Sequence, residues 1–284
     1  MYIFALVALG SAALWLSIER PRNSIADLIA RFGALSYGVF SITTGLFWIC
    51  FPATTAQLVP GHAGGVLVAT ATQARGLIVV ALGLVALFTR KIAPLSLRSI
   101  LLGPFLYNFI MSVEAFAAQF TVLATRERWL YVALHFGWAL SFGLRFARTQ
   151  AAASGFLTLQ CTSRLLLHAF SALAALLGLA LFTIPYGMMA GSMPIVGSAF
   201  LAHSVHGLAA ACGALGAMAF VSASGNGTKT PVVGPLAVAG SCMSIAVLGV
   251  ARAGELGPLE PLVRLAAILC ALCAAVAILR LKSR

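Results

Sequence analysis

The sequence predicts an all-α polytopic membrane protein: a leading transmembrane helix followed by two four-helix units arranged as a parallel repeat. Three observations carry that expectation. The composition suits lipid as solvent, about nine apolar segments have spanning length, and the two halves share an ordered set of matching residues. Of the 284 residues, 61% are hydrophobic and only 8% charged, with a mean hydropathy of +1.03. A soluble chain of this length needs far more polar surface.

Each crossing helix needs about 20 apolar residues. The candidate segments are 1–17, 32–51, 65–88, 99–122, 129–147, 165–185, 197–221, 232–251 and 262–281. Residues 1–17 also have the length of a secretory leader. They lack a basic start, and Ser17-Ile18-Glu19-Arg20-Pro21-Arg22 is a poor cleavage site, so a first spanning helix is the better reading. The segments are joined by short connections rich in turn residues, such as Pro52 to Gly64 and Ser222 to Pro231. The expected organisation is a leading helix (1–24), a first unit (25–150) and a second unit (158–284).

Lysine and arginine orient the chain. One set of helix ends holds 13 of the 18 cations, including Arg20, Arg90, Lys91, Arg145, Arg148 and Arg284; Arg75, Arg126, Arg128, Arg252 and Arg264 fall to the other side. The bias places the N-terminus outside and the C-terminus on the cytoplasmic-equivalent side, as an odd number of crossings requires. The net charge of +12 comes from cations standing singly at helix ends. That pattern lacks the aromatic-interleaved basic patch of a nucleic-acid binder. The expected partners are the bilayer itself and, laterally, other membrane proteins.

Arg31, Gly45 and Pro52 match Arg164, Gly178 and Pro185 at a spacing of 133 residues. Arg75-Gly76-Leu77 matches His206-Gly207-Leu208 at 131, as Arg98 matches Lys229 and Gly103-Pro104 matches Gly234-Pro235. Met111-Ser112 matches Met243-Ser244, and Arg148 matches Arg280, at 132. Matches in this order point to duplication. Units with an even number of helices enter the membrane from the same side, which makes the repeat parallel.

The candidate binding residues are Arg75, Glu114, Gln73, Asn108, Ser112 and His206. An arginine inside a spanning helix costs roughly 2.5–3.5 kcal/mol on insertion scales, so it needs a partner. Counting from the outer ends of their helices, Arg75 lies roughly 10 Å deep and Glu114 roughly 13 Å. The two share a leaflet, and an ion pair between them is expected. Asn108, Ser112, Ala115 and Gln119 follow an i, i+4, i+7, i+11 spacing and form one polar face that should look into the bundle. A carboxylate-bearing ligand would favour Arg75; a cation or proton would favour Glu114.

His135, His203 and His206 are the candidate cofactor ligands, since all lie in outer halves of their helices. A haem between two histidines, or a chlorophyll-type pigment on one, could be held there. The sequence itself requires no cofactor and nominates no catalytic or metal-binding residue. Cys270-Ala-Leu-Cys273 lacks the further ligands that zinc takes. No lysine lies within an apolar span, which excludes a retinal Schiff base, and no Gly-Lys-Thr phosphate loop is present. The reading that follows is binding or translocation of a small molecule or ion near Arg75 and Glu114. The alternative is a non-catalytic accessory or scaffold subunit of a larger membrane complex.

Overall fold

A computed structural model of the chain describes residues 2–18, 25–52, 54, 66–88, 94–120, 126–148, 161–189, 195–224, 265 and 268. Over these residues the chain is all-helical. The seven helices are α1 (Tyr2–Ile18), α2 (Ile25–Cys50), α3 (Val66–Phe88), α4 (Pro94–Ala118), α5 (Arg126–Arg148), α6 (Cys161–Met189) and α7 (Ile195–Ser224). Leu28–Cys50, Leu101–Ala118, Arg128–Ala147 and Leu165–Phe182 are each long and apolar enough to cross a membrane. Such helices are compatible with an integral membrane location. The expected spans at 232–251 and 262–281 lie outside the described residues, apart from residues 265 and 268.

Several helices run past their apolar segments. α2 starts at Ile25 rather than near residue 32, because polar residues at the interface continue the helix. α4 starts at Pro94, a residue whose fixed φ and missing N–H suit the first helical position. Pro104, inside the same helix, removes one rung of the backbone ladder. Four residues on, the Asn108 side chain donates to the Pro104 carbonyl at 2.7 Å.

Consecutive helices pair as hairpins: α2 with α3, α4 with α5 and α6 with α7. Further contacts join α2 to α5, α4 to α7 and α3 to α7. Followed in the order α2, α3, α7, α4, α5 and back to α2, neighbouring helices touch all the way round. α3 and α4 meet only slightly across this ring. α1 backs α2 and α6 backs α7 from outside. A helix of the expected second unit therefore sits between two helices of the first.

Small residues set the crossings. A Cβ on Gly45 would come within 2.7 Å of the Gly76 carbonyl oxygen and 3.1 Å of the Val80 nitrogen. One on Gly178 would lie 3.1 Å from the Ala209 carbonyl oxygen and 3.4 Å from the Gly213 nitrogen. Likewise Gly83 faces the Gly38 carbonyl and Ser41, and Gly216 faces the Ser171 carbonyl and Ala174. Each contact in the α2–α3 hairpin has its counterpart in α6–α7 at one constant spacing, 133 residues. That spacing sets Leu208, not His206, opposite Arg75, and so corrects the register read from sequence in this helix.

Lipid offers helices no hydrophobic drive to associate, so close backbone approach must supply it. Gly45→Ala is expected to lower stability by about 1–3 kcal/mol, because the new methyl meets backbone that cannot rotate away. Gly137 has nothing within 4 Å of a built Cβ, so Gly137→Ala serves as the tolerated control. Thermal unfolding of the two purified variants in detergent checks the contrast.

Candidate functional site

The ring's interior is polar at its centre. Arg75 of α3 is 4% exposed. Its Nη2 donates to the Tyr131 hydroxyl of α5 at 2.6 Å, and its Cζ lies 4.7 Å from the centre of the Trp48 ring of α2. A cation over an indole face is attracted by the ring quadrupole. On the α7 side the guanidinium lies against bare backbone: a Cβ on Gly207 would stand 2.8 Å from Nε and 3.1 Å from Cδ. Among the described residues Nε has no hydrogen-bond partner.

Glu114 of α4 takes a different partner from the one its depth suggested. His206 Nδ1 of α7 lies 3.9 Å from Glu114 Oε1, an ion pair when the imidazole is protonated. The direct Arg75–Glu114 pairing read from sequence is therefore corrected. Glu114 still acts electrostatically on Arg75, together with Tyr131 and Tyr107. α3 and α4 scarcely touch, and α7 reaches both. Counting along helices gave the shared depth correctly, but the rotation of each helix decided who meets whom. The His206 ring also stacks on Phe182 of α6, with centroids 4.9 Å apart and planes 17° off parallel.

A second layer lies against the first. Tyr131 tilts over His135 one turn along α5, with centroids 4.2 Å apart. His135 Nδ1 meets Asn108 Oδ1 at 2.6 Å. Asn108 is fully buried. Deeper, the Trp138 indole donates to Ser36 Oγ at 3.0 Å, and Ser36 donates on to the Gly33 carbonyl. Tyr37 packs edge-on against Trp138 and Phe142, so residues 131, 135, 138 and 142 form one continuous inward face of α5. Trp138→Phe keeps the ring and deletes one donor. It is expected to cost about 0.5–1.5 kcal/mol, read as a lower unfolding midpoint with the Arg75 region unaffected.

The other sequence candidates fall as follows. Ser112 is buried but donates to its own helix, to the Phe109 carbonyl at 2.8 Å. Gln73 is exposed and donates to the Ile49 carbonyl at 3.3 Å. That carbonyl belongs to the last turn of α2, where four acceptors lack helical partners, so Gln73 caps a helix end. Ala115 of the expected polar face is buried and Gln119 half-buried. The His203 side chain and the Cys270–Cys273 pair lie outside the described residues. Among the described residues, no group of three or more His, Cys, Asp or Glu side chains could hold a metal ion. Tyr131, Trp48, Tyr37 and Gly207 were not nominated from sequence. Tyr131 had a usable signal: it stands four residues before His135, hence on the same helix face.

Comparison of the chain with protein-family models, with curated proteins and with solved structures found no match to any of them.

Proposed function

We propose that the chain is an integral membrane protein that binds a small molecule or ion, or carries one across the bilayer, at the buried cluster around Arg75 and Glu114. The observation that carries this reading is a permanent charge, 4% exposed, held at the centre of a helix ring by aromatic and hydroxyl groups. A charge so placed in a membrane is costly, and a binding role accounts for its retention. His206 and Gly207 bring α7 into the site, so motion of α6–α7 against the first four-helix unit would open or close it.

The wider architecture belongs to the same proposal. It has nine spans, a leading helix at 1–24 and two units, 25–150 and 158–284, in parallel repeat. The constant spacing of 133 between the two hairpins' glycine contacts supports the duplication. The cation bias supports an external N-terminus.

Native mass spectrometry in mild detergent tests the function. The expected result is a small molecule or ion retained by the wild-type chain and lost from Arg75→Met/Glu114→Gln. A wild-type protein that carries nothing, and whose stability no charged solute shifts, would count against the reading.

A further inference from the structure

We propose that the ligand of this site is a monovalent anion, held by the Nε edge of the Arg75 guanidinium; this rests on the site reading above and names its chemical class. A guanidinium offers five N–H donors and no acceptor. One of the five goes to Tyr131, while Nε–H is buried and has no partner among the described residues. The site's carboxylate is differently engaged, since Glu114 faces His206. What the site has to offer a ligand through Arg75 is therefore a charged donor.

α2 adds donors of the same kind. Tyr37 Oη, Ser41 Oγ and Thr44 Oγ1 are buried side-chain atoms without a hydrogen bond among the described residues. They recur at i, i+4 and i+7, hence on one face of the helix whose Trp48 stacks on Arg75. Each hydroxyl can turn its proton toward an acceptor. A planar carboxylate fits a guanidinium edge with two parallel bonds, and a halide can accept from the same N–H. A second charge on the ligand would have to be desolvated without a second cation at contact distance, so the site favours monoanions.

Gly207 makes the test specific. A Cβ there would stand 2.8 Å from Nε, so Gly207→Ala covers that edge while leaving every charge in place. The full-length protein in lipid nanodiscs is titrated with sodium chloride, acetate, benzoate and sulfate at matched ionic strength, and stabilisation against heat is followed. A parallel series changes the cation and holds chloride constant.

The expected result is saturable stabilisation by a monoanion, with the same midpoint whichever cation accompanies it. Gly207→Ala should weaken it at least tenfold. Arg75→Lys keeps the charge but loses the planar edge, and should weaken it as much; it decides the matter if Gly207→Ala fails to fold. Benzoate or acetate acting below chloride identifies a carboxylate ligand, and chloride alone an inorganic one. The proposal is overturned if no monoanion saturates the wild type, or if the folded variants respond as the wild type does. A response that follows the cation and vanishes in Glu114→Gln overturns the anion assignment and leaves an intramembrane site standing.

Discussion

Glu114→Ala is expected to cost about 3–5 kcal/mol, the largest loss of any single change in this chain, because it leaves buried positive charge uncompensated. The carboxylate lies beside His206, and its charge also bears on Arg75 and Arg128. Arg128 is half-exposed at the start of α5 and can turn to solvent; Arg75, at 4% exposure, cannot. The loss should therefore be repaired by removing the charge it strands. Arg75→Met/Glu114→Ala is expected to unfold above Glu114→Ala alone, despite carrying one more substitution. Thermal unfolding of the wild type, both singles and the double gives the coupling, which should exceed the roughly 0.3–0.5 kcal/mol scatter of independent sites. Losses that simply add would mean the Glu114 charge does not stabilise Arg75.

Tyr131→Phe is the second large effect. Only the hydroxyl is lost, so the ring's contact with His135 survives. What changes is that the Nη2 donor of Arg75, satisfied at 2.6 Å, is left without its acceptor inside the bundle. A hydrogen bond to a charged group contributes about 1.5–3 kcal/mol, and that range is the expected destabilisation. The effect should shrink in an Arg75→Met background, where there is no donor to strand. If Tyr131→Phe costs the same with and without Arg75, the hydroxyl serves some other partner.

The contrast between these residues shows what the sequence made legible. Arg75, Glu114 and His206 stood out because ionisable groups are expensive in an apolar run. Their depths followed from counting 1.5 Å per residue. Azimuth did not follow, because an apolar helix carries little periodic signal when lipid and protein interior are both apolar. This is why the direct pairing of Arg75 with Glu114 was expected, whereas the structure gives Tyr131 to one and His206 to the other. The same blindness hid Trp48 and Tyr37, aromatic residues that composition cannot assign to lipid or interior. Gln73 was misjudged for a related reason: a polar side chain near a helix end caps a neighbour's carbonyl as readily as it lines a site. The helices themselves were legible from length and hydropathy. The spacing of 133 needed contacts, since the sequence match drifts to 131 within α7.

The account depends most on α7 lying between α3 and α4, for without it neither His206 nor Gly207 reaches the site. Met218 of α7 packs directly on Gly103 of α4, and Ser141 of α5 packs directly on Gly33 of α2. The decisive measurement is disulfide formation in native membranes, in a background without the six natural cysteines and with a protease site introduced between residues 149 and 160. A disulfide requires Cβ atoms about 3.5–4.5 Å apart. Gly103→Cys with Met218→Cys is predicted to hold the two cleaved fragments together until reductant is added. Fragments that separate without reductant would contradict the account, provided the cysteine pair at 33 and 141 oxidises under the same conditions, as loss of its free thiols would show.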